Sequence, residues 1–158
     1  MEIKYALLTK KDIPFMQLHI EQDGEFCAEK LARFIDAPNT YGFAAKQGNA
    51  ILGFAYCYKL THPYVGTDSF FLYSIGIFPE YQNKGLGTGF VECIKRFAFE
   101  ELKCGEVFVM TDKGNKRACR VYEKCGGKND YEDEICYVIY NNGIPKQQKP
   151  ACYYGVEE

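Results

Sequence analysis

Hydrophobic residues follow two different periods in the middle of this chain. From Ser69 to Ile77 the sequence SFFLYSIGI is almost continuously apolar, which is typical of a strand covered on both faces. A glycine-rich stretch follows Pro79, and from Leu86 to Leu102 the apolar residues recur at helical spacing. The pattern therefore predicts a strand, a glycine loop and an amphipathic helix in succession, and this unit is the centre of the predicted fold.

Shorter runs of alternating or periodic hydrophobic residues predict further elements on either side of this unit. Strands are expected at residues 3–8, 40–46, 50–60, 106–110 and 134–140. Helices are expected to open near Asp12, to cover residues 25–35, and to run from Asn115 to a glycine stop at Gly126. The predicted order is β-α-α-β-β-β-α-β-α-β. We expect a single domain over residues 1–158, with residues 141–158 as a loose tail or an extra edge strand.

Composition narrows the class of protein. The chain has 158 residues, of which 47% are hydrophobic and 25% are charged, as in ordinary soluble domains. The net charge of -2 gives no reason to expect a nucleic-acid partner. No apolar run reaches the roughly 18 residues of a membrane span, so no membrane association is expected. Because no signal-like segment precedes the first strand, a cytoplasmic location is expected.

The cysteine content bears on metal binding and on redox compartment. The 8 cysteines show no CxxC spacing, and His19 and His62 are isolated from one another and from cysteine pairs. A zinc site is therefore not expected. Free cysteine packs as a small apolar residue, and we interpret these cysteines as reduced thiols.

The loop of the central unit reads QNKGLGT from Gln82 to Thr88. A glycine loop before a helix suits an anion, because glycine admits close approach of the backbone and the helix N-terminus supplies free N–H groups. The loop has no lysine followed directly by Ser or Thr, as a P-loop requires, and its glycines are too close together for the dinucleotide pattern GxGxxG. It does match the pattern Q/R-x-x-G-x-G/A, read from Gln82 to Gly87.

This loop, placed between an apolar strand and an amphipathic helix, resembles motif A of the GNAT superfamily of N-acetyltransferases. The sequence NKRACRVYEKCGG, from Asn115 to Gly127, resembles the family's motif B, with Gly127 in place of the usual aromatic residue. The resemblance covers nearly the whole chain and implies an α/β fold (α+β in some schemes), with a mixed, mostly antiparallel sheet and a central splayed strand pair. Residues 41–43, 62–64 and 131–133 are most similar to the aminoglycoside 3-N-acetyltransferase branch.

The resemblance implies that acetyl-coenzyme A is the acetyl donor and that no metal takes part. Its pyrophosphate would bind the backbone N–H groups of the glycine loop, and its pantetheine would pair with the open edge of the central strand. A backbone N–H of that strand would polarise the thioester carbonyl. The residues implied in binding acetyl-coenzyme A are Ile75, Gly76, Ile77, Gln82, Asn83, Lys84, Gly85, Leu86, Gly87, Thr88, Asn115, Ala118, Tyr122 and Lys124.

Acetyl transfer to an amine also needs a general acid and a general base. The match to motif B implies that Tyr122 protonates the leaving thiolate. The resembled aminoglycoside enzymes carry an acidic residue on the central strand just after the tyrosine, whereas this chain has Ser74 after Tyr73. Asp112 is our first candidate for the base, because it follows the neighbouring strand. A turn-forming role for Asp112 is an equal alternative.

Other acidic residues are substitutes for Asp112 in the role of base. These are Asp23, Glu25 and Glu80. The residues that we expect to meet the amine substrate are Glu25, Tyr73, Ser74 and Asp112. Cys119 and Cys125 are not expected to act as nucleophiles, because direct attack by the amine needs no covalent intermediate.

The sequence thus favours an enzyme, an acetyl-coenzyme A-dependent acyltransferase. The expected acceptor is a primary amine of a small cationic molecule. An aminoglycoside-like molecule is one candidate, and antibiotic resistance would then be one consequence. A peptide or protein amine is the alternative acceptor. A non-catalytic acyl-coenzyme A-binding module or sensor is the alternative class, supported by Ser74, and an ATP-binding protein ranks last. Exposed strand edges make a homodimer reasonable.

Overall fold

The computed structural model describes residues 2–20, 26–130, 133, 135–141 and 143. One five-stranded sheet runs through this part of the chain, with its strands in the order β1-β2-β3-β4-β5. The strands are β1 (Ile3–Leu7), β2 (Thr40–Gln47), β3 (Ala50–Leu60), β4 (Ser69–Ile77) and β5 (Glu106–Phe108). The first four pair antiparallel with their neighbours, and β5 pairs parallel to β4. The mostly antiparallel mixed sheet that the family resemblance implies is confirmed.

Helices lie between the strands and after the last of them. They are α1 (Ile13–Ile20), α2 (Ala28–Asp36), α3 (Leu86–Arg96) and α4 (Lys116–Lys124). Short 3-10 turns precede α1 and follow β4, at Lys10–Asp12 and Pro79–Tyr81. The predicted central helix continues past α3 as a π-helical turn, Phe97–Glu101. In the described part of the chain, none of the helices is long and apolar enough to cross a membrane.

The sheet packs hydrophobic residues on both faces. On one face the central strands meet α3 and α4 in a large core that includes Phe43, Phe70 and Phe90. On the other face α1 and α2 cover a smaller cluster around Met16 and Ile51. Burial on both faces explains why the central strands read as continuous rather than alternating apolar runs.

The pairing between β4 and β5 is short. It joins Ser69 to Glu106 and ends where Phe71 lies opposite Phe108. A β-bulge interrupts the pairing of β4 with β3 just beyond that point, because Tyr56 lies opposite Ser74 and Cys57 opposite Leu72, which leaves Tyr73 as the extra residue. The two central strands therefore part after Phe71, which is the splayed pair implied by the family resemblance.

Two predicted boundaries and one predicted strand were wrong. Strand β5 ends at Phe108 rather than at residue 110. The second helix begins at Ala28, with Cys27 as its N-cap, rather than at residue 25. A final strand was expected over residues 134–140, yet the described residues 135–141 have no regular secondary structure and the side chain of Ile139 is 98% exposed. An alternating apolar pattern makes a strand only where a sheet edge accepts its hydrogen bonds. Of the predicted tail at residues 141–158, only residues 141 and 143 are described, and the rest lies outside the described residues.

Candidate functional site

The glycine loop leads from the turn after β4 into α3. Asn83 and Gly85 both have left-handed backbones, with φ of 61° and 74°. Gly85 is the N-cap of α3 and provides no side-chain cap, so the first N–H groups of the helix are left for another acceptor. A Cβ added to Gly85 would meet no heavy atom within 4 Å. The loop therefore presents a helix N-terminus to open space.

Side chains brace the loop from the helix that follows β5. The Gln82 side chain donates to the Ile77 carbonyl over 2.9 Å and accepts a hydrogen bond of 2.9 Å from Arg117 Nη1. Arg117 Nη2 donates to Asn83 Oδ1 over 2.7 Å. The Arg117 guanidinium thus joins α4 to the loop through both of its terminal nitrogens. Sequence reasoning missed Arg117, because no local spacing signals a contact between residues 35 positions apart.

Lys84, Leu86 and Thr88, which are also expected to bind the pyrophosphate, differ in their burial and in their hydrogen-bond partners. Lys84 Nζ lies 3.3 Å from the Glu80 carbonyl and 5.5 Å from the centre of the Tyr81 ring, so its ammonium group stays close to its own turn. Leu86 is buried, and its carbonyl accepts a hydrogen bond of 3.1 Å from the Tyr5 hydroxyl. Thr88 is half-buried. The first turn of α3 is therefore held against β1.

The open edge of β4 lies next to this loop. Ile75, Gly76 and Ile77 belong to the half of β4 beyond its last pair with β5, at Phe71 and Phe108. Within the described residues they pair only with β3 on the other side. The family resemblance implies that pantetheine pairs with this edge, and that pairing stays a prediction.

Helix α4 provides the residues of the second motif. Asn115 is its N-cap and accepts a hydrogen bond of 3.1 Å from the Ala118 backbone N–H, so these two residues are joined in the predicted cap. Tyr122 is half-buried and packs against the larger core, and Lys124 is exposed in the last turn. Gly126, with φ of 89°, ends the helix in the left-handed conformation expected from the sequence.

The candidate bases are found in different settings. Asp112 Oδ1 accepts a hydrogen bond of 2.6 Å from the Gly114 backbone N–H, so the carboxylate closes its own turn, the alternative that the sequence left open. Ser74 is buried, with 5% of its surface exposed. Glu80 is exposed in the turn after β4. Asp23 and Glu25 lie outside the described residues.

Aromatic rings cover the face of the sheet opposite α3, beside the point where the strands part. The Tyr73 ring stacks on Tyr56 with 5.5 Å between centroids, and meets Tyr58 and Phe71 edge to face at 5.8 and 5.5 Å. Phe71 stacks on Phe108 at 4.6 Å. Tyr73 is 40% exposed in spite of these contacts. Burial raises the pKa of Tyr58, and the neighbouring Tyr73 adds to the increase.

Cysteines near the loop have the properties of packed thiols. Burial raises the pKa of Cys125, and the nearby Glu92 adds to the increase. Burial also raises the pKa of Cys93. Both groups are therefore protonated at neutral pH, which makes them poor nucleophiles. All seven cysteines among the described residues are free thiols.

The sequence is similar to a known protein family and to a curated relative. The sequence profile of the acetyltransferase (GNAT) family matches residues 11–127. The chain is 32% identical over 82 residues to the spermidine N(1)-acetyltransferase of Escherichia coli K12, a match that covers 52% of this chain and 43% of that protein. The matched segment thus spans less than half the length of this curated relative.

Several solved structures share the fold. An aminoglycoside acetyltransferase from an uncultured soil metagenomic sample superposes with a TM-score of 0.71 at 24% identity, covering 88% of this chain and 95% of that one. AAC(6')-Iy in complex with the bisubstrate analogue CoA-S-monomethyl-acetylneamine gives 0.72 at 19% identity, with coverages of 89% and 100%. The ribosomal-protein-alanine N-acetyltransferase of Brucella melitensis gives 0.66 at 15%, with coverages of 87% and 100%. At these identities the likeness establishes the fold.

Proposed function

The chain belongs to the acetyltransferase (GNAT) family, and from that membership we propose that it transfers an acetyl group from acetyl-coenzyme A to a primary amine of a small cationic molecule. The observation that carries the proposal is the bare N-terminus of α3, where Gly85 provides no side-chain cap and faces open space. A diphosphate carries the negative charge that such a terminus binds, because the helix dipole and free N–H groups act on it together.

The residues of the loop fit this donor. Backbone N–H groups from Asn83 to Thr88 would hold the pyrophosphate, with Arg117 keeping the loop in place through Gln82 and Asn83. The open edge of β4 at residues 75–77 would pair with the pantetheine and direct a backbone N–H at the thioester carbonyl. When bound, acetyl-coenzyme A supplies the activated acetyl group.

Two proton movements would fall to side chains of this chain. Tyr122 would hold a proton at its hydroxyl oxygen for the leaving thiolate, a role that a phenol fills only when it is well placed. Asp112, or a water molecule that it positions, would accept the proton of the attacking amine, in exchange for its hydrogen bond with Gly114. Direct attack by the amine needs no covalent intermediate, and the thiols of Cys93 and Cys125, whose pKa burial raises, are poor nucleophiles.

The acceptor class is proposed from two lines of support. A curated relative is a spermidine N(1)-acetyltransferase, and the superposed structures include aminoglycoside acetyltransferases. Both names describe acetyl transfer to small molecules with several amino groups. A non-catalytic acyl-coenzyme A sensor is the second candidate. The buried Ser74 favours it, because the resembled aminoglycoside enzymes carry an acidic residue at that position.

Calorimetric titration with acetyl-coenzyme A tests the donor site. In Gly85→Glu a carboxylate would occupy the space in front of the α3 terminus, and we expect binding to be abolished. Gly126→Glu is a matched control, because Gly126 also has a positive φ and no atom within 4 Å of an added Cβ. We expect it to carry the same backbone strain and to bind like the parent.

The outcomes separate the candidate functions. Binding by the parent and by Gly126→Glu but not by Gly85→Glu supports the donor site. Acetylated spermidine detected by mass spectrometry would then support the enzyme, whereas tight binding with no product from any amine would support the sensor. Failure of the parent to bind acetyl-coenzyme A would remove the proposal.

A further inference from the structure

An amine acceptor has to approach the thioester at the point where β4 and β5 part. The last pair of these strands is Phe71 and Phe108, and the next exposed residue on β4 is Tyr73. The face of the sheet that carries α3 and α4 is the one next to the glycine loop. The opposite face is therefore the route left for the acceptor, and its chemistry decides which amines fit.

That face is lined by aromatic rings. We name Tyr56, Tyr58, Tyr73 and Phe71 the tyrosine patch. Its centre is Tyr73, which is stacked on Tyr56 and meets Tyr58 and Phe71 with ring edges. Phe34 of α2 packs edge-on against Tyr56 and Tyr58 at 5.9 and 5.6 Å, which holds the back of the patch in place. Tyr73 is the extra residue of the β-bulge, and it is 40% exposed.

Aromatic faces bind organic cations. The π-system of a tyrosine carries partial negative charge on its faces, and an ammonium group within about 6 Å of the ring centroid is attracted to it. Stacking on Tyr56 covers one face of the Tyr73 ring, and 40% of the residue's surface is still exposed. The attraction needs no carboxylate, so it is compatible with a serine at position 74 on this strand.

We propose that the tyrosine patch is the acceptor subsite and that it selects amines with a second, non-reacting ammonium group. This inference rests on the proposed acetyltransferase function. The reacting amine has to be neutral, and it lies at the split between the strands, where it can reach the thioester. The second amine stays protonated and lies on the Tyr73 ring. The substrate class is thus small polyamines and amino sugars rather than monoamines or acidic peptides.

Calorimetric binding of spermidine tests the subsite without turnover. Tyr73→Leu keeps apolar bulk and removes the π face, and we expect the Kd for spermidine to rise about tenfold, in line with a partly desolvated cation–π contact. Tyr73→Phe keeps the ring and is expected to stay within about threefold of the parent. Tyr64→Leu is the control for a lost tyrosine, since Tyr64 is 83% exposed in the loop between β3 and β4. Butylamine, with a single amine, is expected to bind more weakly than spermidine to the parent.

Each result bears on the proposal. Loss of spermidine binding in Tyr73→Leu, with binding kept in Tyr73→Phe and Tyr64→Leu, supports it. Equal binding by Tyr73→Leu and the parent overturns it, and so does an equal loss in Tyr73→Phe, which would point to the hydroxyl instead of the ring. Unchanged acetyl-coenzyme A affinity in Tyr73→Leu shows that the variant is folded. A parent that binds spermidine but not acetyl-coenzyme A would refute the proposed function and, with it, the role of the tyrosine patch as an acceptor subsite, and would leave the patch only as an amine-binding site.

Discussion

Gly87 and Gly89 lie two residues apart in the first turns of α3. A methyl group added at Gly87 would fit its surroundings, whereas one added at Gly89 would clash with a neighbouring side chain. At Gly87 the new Cβ would lie 3.5 Å from Val121 Cγ2, which is ordinary van der Waals contact. At Gly89 it would lie 2.6 Å from the Tyr5 hydroxyl and 3.0 Å from two ring carbons of the same side chain. Both substitutions replace glycine by alanine in one helix, so the comparison isolates the tertiary contact.

The sign of each effect follows from helix propensity and packing. Alanine is favoured over glycine in a helix by about 0.5–1 kcal/mol, so Gly87→Ala should stabilise the fold by that amount. In Gly89→Ala the Tyr5 ring has to move, but it is stacked on Phe90 at 5.4 Å and bonded to the Leu86 carbonyl. Overpacking costs about 1–3 kcal/mol and the strained hydrogen bond about 1 kcal/mol. After the propensity gain, we expect a net loss of about 1–3 kcal/mol.

Urea denaturation followed by circular dichroism measures both free energies of unfolding. We expect the two variants to differ by about 2–4 kcal/mol at an unchanged m-value. A Tyr5→Phe background removes the nearest atom, so Gly89→Ala should cost less there than in the parent. Equal stabilities of the two glycine variants, or the same cost of Gly89→Ala with and without the Tyr5 hydroxyl, would refute this account of the packing.

Three further predictions concern the loop, the cap and the entry to α1. Arg117→Ala should weaken acetyl-coenzyme A binding about tenfold, because the loop loses both of its hydrogen bonds from the guanidinium group. Arg120→Ala on the same helix is the control and should bind like the parent. Equal affinities of the two variants by calorimetry would contradict this prediction. Asn115→Ala should lower the free energy of unfolding by about 1 kcal/mol in urea titrations, because the Ala118 N–H loses its acceptor. Burial acts to raise the pKa of Asp12, but hydrogen bonds from Lys46 and Thr9 outweigh it and lower this pKa below the ordinary value of 3.8. The Asp12 carboxylate therefore stabilises the fold above pH 3.8, and this contribution is lost as the pH falls below that value. Asp12→Asn should flatten the dependence of stability on pH in that acidic range.

Patterns among neighbouring residues predicted most of the strands and helices correctly. The strands at residues 40–47, 50–60 and 69–77 were predicted within a residue or so, because their apolar runs and the turn at Gly48 are signals carried by neighbouring positions. The Asn115 cap and the left-handed Gly126 were predicted for the same reason. The failure at residues 135–141 has the opposite origin, since a strand exists only where a partner edge accepts it.

The sequence by itself determined the glycine loop, the helix that follows it and the motif of α4, since each depends on residues within a few positions of one another. Tertiary structure alone decided that Arg117 would brace Gln82 and Asn83, because that contact depends on how α4 packs beside the loop. It also decided that Asp112 closes its own turn and that Tyr73 stands exposed where two strands part. Side-chain hydrogen bonds and strand pairing join positions far apart in the chain, and a one-dimensional pattern carries no information about which of those positions meet.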